Sequence, residues 1–381
     1  MLGRYCLFTI LLLLVVPLSP SRAEDPEFNG RKLSTWLNQL REDPIPRKRR
    51  AAIVAIGQIA ADNKDAIPVM LQAVGRALKS DANPVVRQQA ATVLGQQKPE
   101  HAAAAIADLS ESLRVEKDAK VRQEVATTIG RLGRLGKPAV LALVPLLKDA
   151  DAGVRAAVAD ALGRIGSDAK ATTPELMPLL KDPEKSVRQA AVFALGRVEP
   201  DDTINVSAAI VGMLKSETDS EFRREVIVTL GFLGDRSTET VQALASALKD
   251  PNAELRQQTV LALSRFGGAA KLASAELTRV FKEDVDKTVR TYAVHALSQS
   301  YGTDAKSLIP LLTERLKADT DFEVRIVIVE ELGSLGAEGK EALPALREAR
   351  RDPQIKVREA AAEAIKRIEK PTPPPMPTPK P

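Results

Sequence analysis

The sequence predicts an all-α fold, an α-solenoid of about ten helix pairs, and three observations lead there. One frame recurs along the chain, with an arginine at positions 49, 87, 122, 155, 188, 223, 256, 290, 325 and 358, at intervals of 33 to 38 residues. Around each arginine the residues at −1, +3, +4 and +7 are apolar almost throughout; in the fifth copy they are Val187, Ala191, Val192 and Leu195. That spacing is the stripe of an amphipathic helix. Third, apolar residues make up 44% of the chain but aromatics only 3%, so the core is built from Ala, Leu and Val. Small aliphatic cores suit closely packed helices better than a sandwich or barrel. A period of this length means units that bury their apolar faces on their neighbours.

Taken from the N-terminus, residues 1–23 stand apart. Arg4 precedes an apolar run of ten, LFTILLLLVV (7–16), and PLSPSRA follows, ending in small residues at Ser21 and Ala23. This pattern predicts a cleavable secretory leader, with a retained anchor as the alternative. Ten apolar residues are too few to span a bilayer unaided. The single cysteine, Cys6, falls within the leader, so the mature chain is expected to have no disulfide and no zinc-thiolate site. The formal charge of +5 arises from 55 basic against 50 acidic residues. A near-balanced surface of this kind does not predict nucleic-acid binding. Residues 24–30 are expected to be a linker and 31–370 the solenoid. The first unit begins with Leu33, Trp36, Leu37 and Leu40 at helical spacing, Ser34 as its expected cap and Trp36 as an end-covering core residue. The chain closes on PTPPPMPTPKP (371–381), which cannot form helix and is expected to be an extended, disordered end or a spacer.

Each unit reads as two helices. A variable apolar run such as ALVPLLKD precedes the frame arginine, and glycine at +8, as in Gly95, Gly130, Gly163, Gly196, Gly231 and Gly333, suits the end of the second helix. An aspartate lies six residues before the arginine in eight copies: Asp43, Asp81, Asp149, Asp182, Asp250, Asp284, Asp319 and Asp352. Copies three and six instead carry Asp118 and Asp219 only four residues ahead. The aspartate is expected in the turn, accepting from unsatisfied N–H groups of the next helix. The arginine lies in the first helical turn, where the helix dipole disfavours a cation. The pairs Asp149 and Arg155, Asp182 and Arg188, Asp250 and Arg256, Asp284 and Arg290, Asp319 and Arg325, and Asp352 and Arg358 are therefore expected to form a structural row of charge-assisted bonds, each arginine reaching the aspartate of its own unit or a neighbour.

With the frame D-x-x-x-x-[VL]-R-x-x-A-x-x-A-L-G over residues 31–369, the chain resembles HEAT-repeat proteins, in particular the short HEAT-like repeats of phycobilisome lyases. The resemblance implies a right-handed superhelix and specifies fold more than function. GRKLSTWL (30–37) resembles the opening of exported repeat proteins of planctomycete-like bacteria. Two enzymatic relatives bear on chemistry. Deoxyhypusine hydroxylases bind di-iron through His-Glu dipeptides, whereas His101 and His295 here are each followed by alanine. Bilin lyases act on a cytoplasmic partner, at odds with a leader. No HExxH, Walker loop or GxSxG occurs. Glu330 and Glu331 are adjacent on a helix and point apart, and RKRR (47–50) contains the frame residue Arg49 among solvated neighbours. No cofactor and no metal are expected.

The positions left free by the frame are +1, +2 and +5, which face away from the stripe. In the resembled family that side is the concave surface, where such folds bind. Early copies fill it with polar or small residues, such as Gln88, Thr92, Gln123, Thr127 and Asp160. From the fifth copy it turns apolar: Phe193, Val228, Leu261, then Tyr292 with His295, then Ile326 and Val327. A solvent-facing apolar run over five units predicts a partner site, unless a shifted stripe buries it. The expected function is a non-catalytic, exported, monomeric scaffold, periplasmic or secreted, binding a protein or peptide through units five to nine. It needs no nucleic acid and no membrane span once the leader is gone. The alternatives are an envelope spacer or an accessory subunit of a lyase-like enzyme.

Overall fold

The computed structural model describes residues 25–370; the predicted leader and the proline-rich tail lie outside the described residues. A two-residue turn at Asn29 (φ 51°) and Gly30 (φ 70°) joins β1 (Glu27–Phe28) to β2 (Arg31–Lys32), antiparallel, with Glu27 opposite Lys32. Left-handed φ at both turn residues is the preference of the tightest hairpins, and Asn-Gly supplies it. The segment expected as a linker is thus half of a hairpin. It closes one end of the stack: the Trp36 indole donates to the Phe28 carbonyl at 3.3 Å, and the Arg31 guanidinium lies 3.8 Å from the Trp36 ring centroid.

Eighteen α-helices of seven residues or more follow among the described residues. Units one to three are the pairs α1 (Leu33–Glu42) and α2 (Pro46–Asp62), α3 (Ile67–Ser80) and α4 (Pro84–Gln96), α5 (Ile106–Val115) and α6 (Ala119–Arg131). Units four and five have the second helices α7 (Ala152–Ile165) and α8 (Lys185–Leu195). Units six to ten are α9 (Thr203–Ser216) and α10 (Ser220–Leu233), α11 (Thr238–Ala247) and α12 (Ala253–Ser264), α13 (Ser274–Glu283) and α14 (Lys287–Tyr301), α15 (Ile309–Ala318) and α16 (Phe322–Ser334), α17 (Leu343–Ala349) and α18 (Ile355–Glu369). The first halves of units four and five, residues 133–148 and 166–181, are chains of short 3-10 and α turns instead of continuous helices. Pro138, Pro145, Pro174 and Pro178 fall there, and each removes an N–H donor and crowds the preceding turn.

The frame stripe forms the core. Val187, Ala191, Val192 and Leu195 are fully buried, as are their counterparts Val154, Val158, Ala159 and Leu162. Glycine at +8 works differently from a helix end. Gly95, Gly130, Gly163, Gly231 and Gly333 lie inside their helices, and only Gly196 sits at a C-cap. A methyl group added at Gly163 would stand 2.8 Å from the Cα of Ala194, and one at Gly130 would stand 3.0 Å from the Cα of Ala161. The +8 position of one second helix therefore presses on the small +6 residue of the next. Chain reversal is made three residues later, at +11, by glycines such as Gly166 (φ 77°) and Gly234 (φ 66°); unit five places Glu199 there at φ 54°.

Side-chain ion pairs link successive units in one direction. Arg155 donates from Nε to Asp182 Oδ2 at 2.8 Å and from Nη2 to Oδ1 at 2.9 Å, while its Nη1 donates to the Asp149 carbonyl at 2.8 Å. Arg155 thus holds the backbone of its own turn and the carboxylate of the following one. The same staple joins Arg49 to Asp81, Arg122 to Asp149, Arg256 to Asp284, Arg290 to Asp319 and Arg325 to Asp352, and Arg223 contacts Asp250. Glu116 takes the aspartate's place for Arg87, with both contacts at 2.7 Å.

Three further expectations need correcting. The frame aspartate does not cap the helix: its carboxylate accepts from the N–H two residues on, as in Asp182 from Glu184 at 3.0 Å. Capping belongs to the residue at −4, as at Asn83, Asp118, Asp151 and Asp286, because only that residue lies next to the first free N–H groups. Likewise Ser34 lies inside α1, and Asp25 accepts its N–H at 3.2 Å and its hydroxyl at 2.6 Å. Finally, Arg188 and Arg358 have no carboxylate partner among the described residues; each donates only to two carbonyls of its own turn. No further unit follows Arg358 among the described residues. At Arg188 the −6 position of unit six is Glu217, which accepts from the N–H groups of Thr218 and Asp219 and leaves the arginine alone.

Candidate partner-binding face

The glycine-against-alanine contacts give the second helices their close approach. On each second helix the +1, +2, +5 and +9 side chains fall on one side, away from the buried stripe. Helices this close leave their outward side chains leaning on a neighbouring unit instead of standing free in solvent. Phe193, Val228 and Leu261 are accordingly half-buried, and so are Tyr292, Ile326 and Val327, which also pack against the core. The expectation of an openly solvent-facing apolar run is corrected to a line of half-covered side chains. Phe193 shows why: its ring lies over Gly163 of the preceding unit, 2.8 Å from where a methyl group would stand. His295 is exposed, with Nδ1 3.1 Å from Glu331 Oε1 of the next unit.

A second row on this face was not anticipated. Position +9 holds Arg131, Arg164, Arg197, Phe232 and Arg265 in units three to seven, and all five are exposed. Phe232 remains 50% accessible although arginines flank it. The Arg197 guanidinium lies 5.0 Å from the Phe193 ring centroid and 5.3 Å from that of Phe232, and Arg265 lies 4.4 Å from Phe232. These are cation–π distances. They make a ladder, Phe193–Arg197–Phe232–Arg265, across units five to seven. Its sequence signal is the Gly-Arg dipeptide at +8 and +9 (Gly130-Arg131, Gly163-Arg164, Gly196-Arg197), which becomes Gly231-Phe232 in the sixth unit. Attention to +1, +2 and +5 alone passes over it.

Two carboxylates belong to the same neighbourhood. Asp160 accepts from Arg164 Nε at 2.6 Å, one turn along α7. Glu225 at +2 of α10 is half-buried, and burial pushes its carboxyl up from the ordinary range against the pull of Arg224 and Arg197. Among the described residues no group of three or more His, Cys, Asp or Glu is placed to hold a metal ion, and no helix is long and apolar enough to cross a membrane. Crevices lie at the turns instead. One of about 530 Å³ between α1 and α3 is lined by Leu37, Arg49, Val69, Arg76 and Asp81, and another at the Arg155–Asp182 staple repeats the arrangement. They follow the period of the fold and converge on the ion pairs already described.

A family model described as HEAT repeats matches residues 33–129, 72–144, 106–173, 173–238, 207–298 and 309–375, overlapping windows that take in most of the chain. No curated protein sequence matches it. Among solved structures, the crystal structure of an engineered protein, a target of the Northeast Structural Genomics Consortium, is similar with a TM-score of 0.59 and 20% identity, over 88% of this chain and 98% of that one. At that identity the likeness speaks for the fold.

Proposed function

The chain belongs to the HEAT-repeat family, and from that premise we propose that it is a non-catalytic scaffold whose inner face, in units five to nine, binds a protein or peptide partner. The observation that carries the reading is the half-covered line Phe193, Val228, Leu261, Tyr292, Ile326 and Val327 beside the exposed Phe232. Half-covered apolar side chains are held in fixed positions by their neighbours yet still have surface to lose, which is the character of binding hot spots. On this reading the leader expected over residues 1–23 carries the chain out of the cytoplasm, to the periplasm or medium, where it acts as a monomer.

The test is affinity capture from an envelope fraction with wild type and with Phe193→Ser/Leu261→Ser/Tyr292→Ser. The helical circular dichroism of the variant is checked first, since Tyr292 also packs on the core. Partners retained by a folded triple variant would exclude the site. One observation favours the second reading, a spacer at the envelope: the arginine staple spans nearly every junction, which stiffens the stack. Capture of no partner by wild type, from any fraction, would favour that reading.

A further inference from the structure

Resting on the scaffold reading above, we infer that the arginine row of units three to seven recognises an extended acidic segment of the partner protein. A guanidinium stacked on an aromatic ring offers its flat face to the ring, while its N–H donors radiate from its edge. Arg197, flanked by Phe193 and Phe232, and Arg265, against Phe232, are therefore held in place with their donor edges unspent. Among the described residues Arg131, Arg197 and Arg265 make no ion pair, whereas Arg164 is partly engaged by Asp160. Most of the frame arginines, by contrast, have both faces of their fork filled. An array of fixed, unpaired, fork-shaped donors matches carboxylates, which accept two parallel N–H bonds.

The spacing selects the shape of the occupant. Packed second helices lie about 10 Å apart, and an extended chain advances about 3.3 Å per residue, so every third residue of a bound strand meets a new +9 side chain. The occupant is thus a protein segment with Asp or Glu at every third position, crossing the helices at right angles, with an apolar residue where Phe232 interrupts the arginines.

The probe is a fluorescein-labelled peptide of twelve residues with Glu at every third position and Ser and Ala between, titrated into the full-length chain and followed by anisotropy. Binding that weakens with salt is expected, and a peptide with Gln in place of each Glu binds at least about tenfold more weakly. Arg197→Gln/Arg265→Gln lowers affinity by about tenfold or more, and Arg197→Lys/Arg265→Lys does not restore it, because a lysine has no fork. Phe232→Ser, which keeps every charge, also weakens binding if the stack positions the arginines. No binding of the Glu peptide, full rescue by lysine, or equal affinity for a heparin oligosaccharide of matched charge would each overturn the inference. The two readings fail separately. If capture depends on Phe193, Leu261 and Tyr292 but the Glu peptide does not bind, only the acidic-segment assignment falls; if capture survives the triple variant, the scaffold site itself falls.

Discussion

The junction between units four and five and the junction between units five and six use the same frame and reach different ends. At the first, Arg155 closes a two-point bond on Asp182, whose side chain is only 8% exposed. At the second, Arg188 occupies the identical place in its helix, donates to the carbonyls of Asp182 and Pro183, and finds no carboxylate. Glu217 stands where an aspartate would, and the cross-junction charge contact moves outward to Lys185 and Asp219 at 2.7 Å. A repeated residue therefore marks a repeated position, and only the partner in the following unit makes that position a bond. The second junction also carries the left-handed Glu199 and the Phe193–Arg197–Phe232 stack. The junction least bound by its own frame is also the one where an arginine with unspent donors, Arg197, lies between two rings.

The largest break in this comparison is expected from Arg155→Ala set against Arg188→Ala. Removing Arg155 strands a nearly buried carboxylate, which costs about 3 kcal/mol. Removing Arg188 loses two bonds to carbonyls at a partly exposed turn, about 1 kcal/mol or less. Denaturant midpoints of the two variants measure the difference, and equal losses would mean that the carboxylate staple contributes nothing. The Arg155 hydrogen bond outweighs desolvation and holds the Asp182 carboxyl below its ordinary range. A depressed carboxylate adds stability above the unfolded value, near pH 4, and loses it as pH falls through the folded value. The gap between wild type and Arg155→Ala is therefore full at neutral pH and narrows in acid.

Next in size is Gly163→Ala, which inserts a methyl group 2.8 Å from both the Ala194 Cα and the Phe193 ring across the first of the two junctions. Backbone cannot yield as a side-chain tip can, so a loss of about 2 kcal/mol is expected in thermal or denaturant unfolding. Gly196→Ala, facing the side chain of Thr229 at 2.9 Å across the second junction, costs less because a side chain can shift. A Gly163 variant as stable as wild type would remove the close-packing account of the +8 glycine.

Glu225, on the unit-six side of the second junction, behaves oppositely to the row. Burial raises its carboxyl, so its contribution favours the fold only where it is protonated and is lost as pH rises through the folded value. Glu225→Gln is expected to stabilise the chain at pH 7 and to confer little at pH 4, a reversal of the Arg155→Ala pattern. Unfolding midpoints at the two pH values decide it, and a gain of equal size at both would point to packing instead of charge.

How far all this could be read in the letters follows from what repetition encodes. Val187, Arg188, Ala191 and Leu195 recur because every unit must stack, so the helix pairs, the buried stripe and the arginine row were legible. The frame does not encode which neighbour an arginine reaches, since Asp182 belongs to the same turn as Arg188 yet bonds Arg155. That choice depends on the offset between units, a property of the packed stack. Proline breaks in residues 133–148 and 166–181 were written in the sequence but outweighed by the period. Phe193 was legible as a departure, and its role was not: one turn of helix carries it to Arg197, and the next unit brings Phe232 to the same arginine. A wheel drawn for one helix contains only half of that contact.

The smallest effect is the finest probe of the second junction. The +11 position is left-handed in six units; five fill it with glycine, as at Gly166 and Gly234, whereas unit five uses Glu199 at φ 54°. A side chain in that region costs about 1 kcal/mol or more over glycine, while glycine gives back part of the gain through its freer unfolded chain. Glu199→Gly should therefore raise stability by about 0.5 kcal/mol, measured in the same denaturant series. It should leave the Glu-peptide affinity unchanged if the turn merely tolerates its glutamate. Loss of that affinity in a more stable variant would show instead that the strained turn sets the angle between units five and six, and with it the spacing of Arg197 from Phe232.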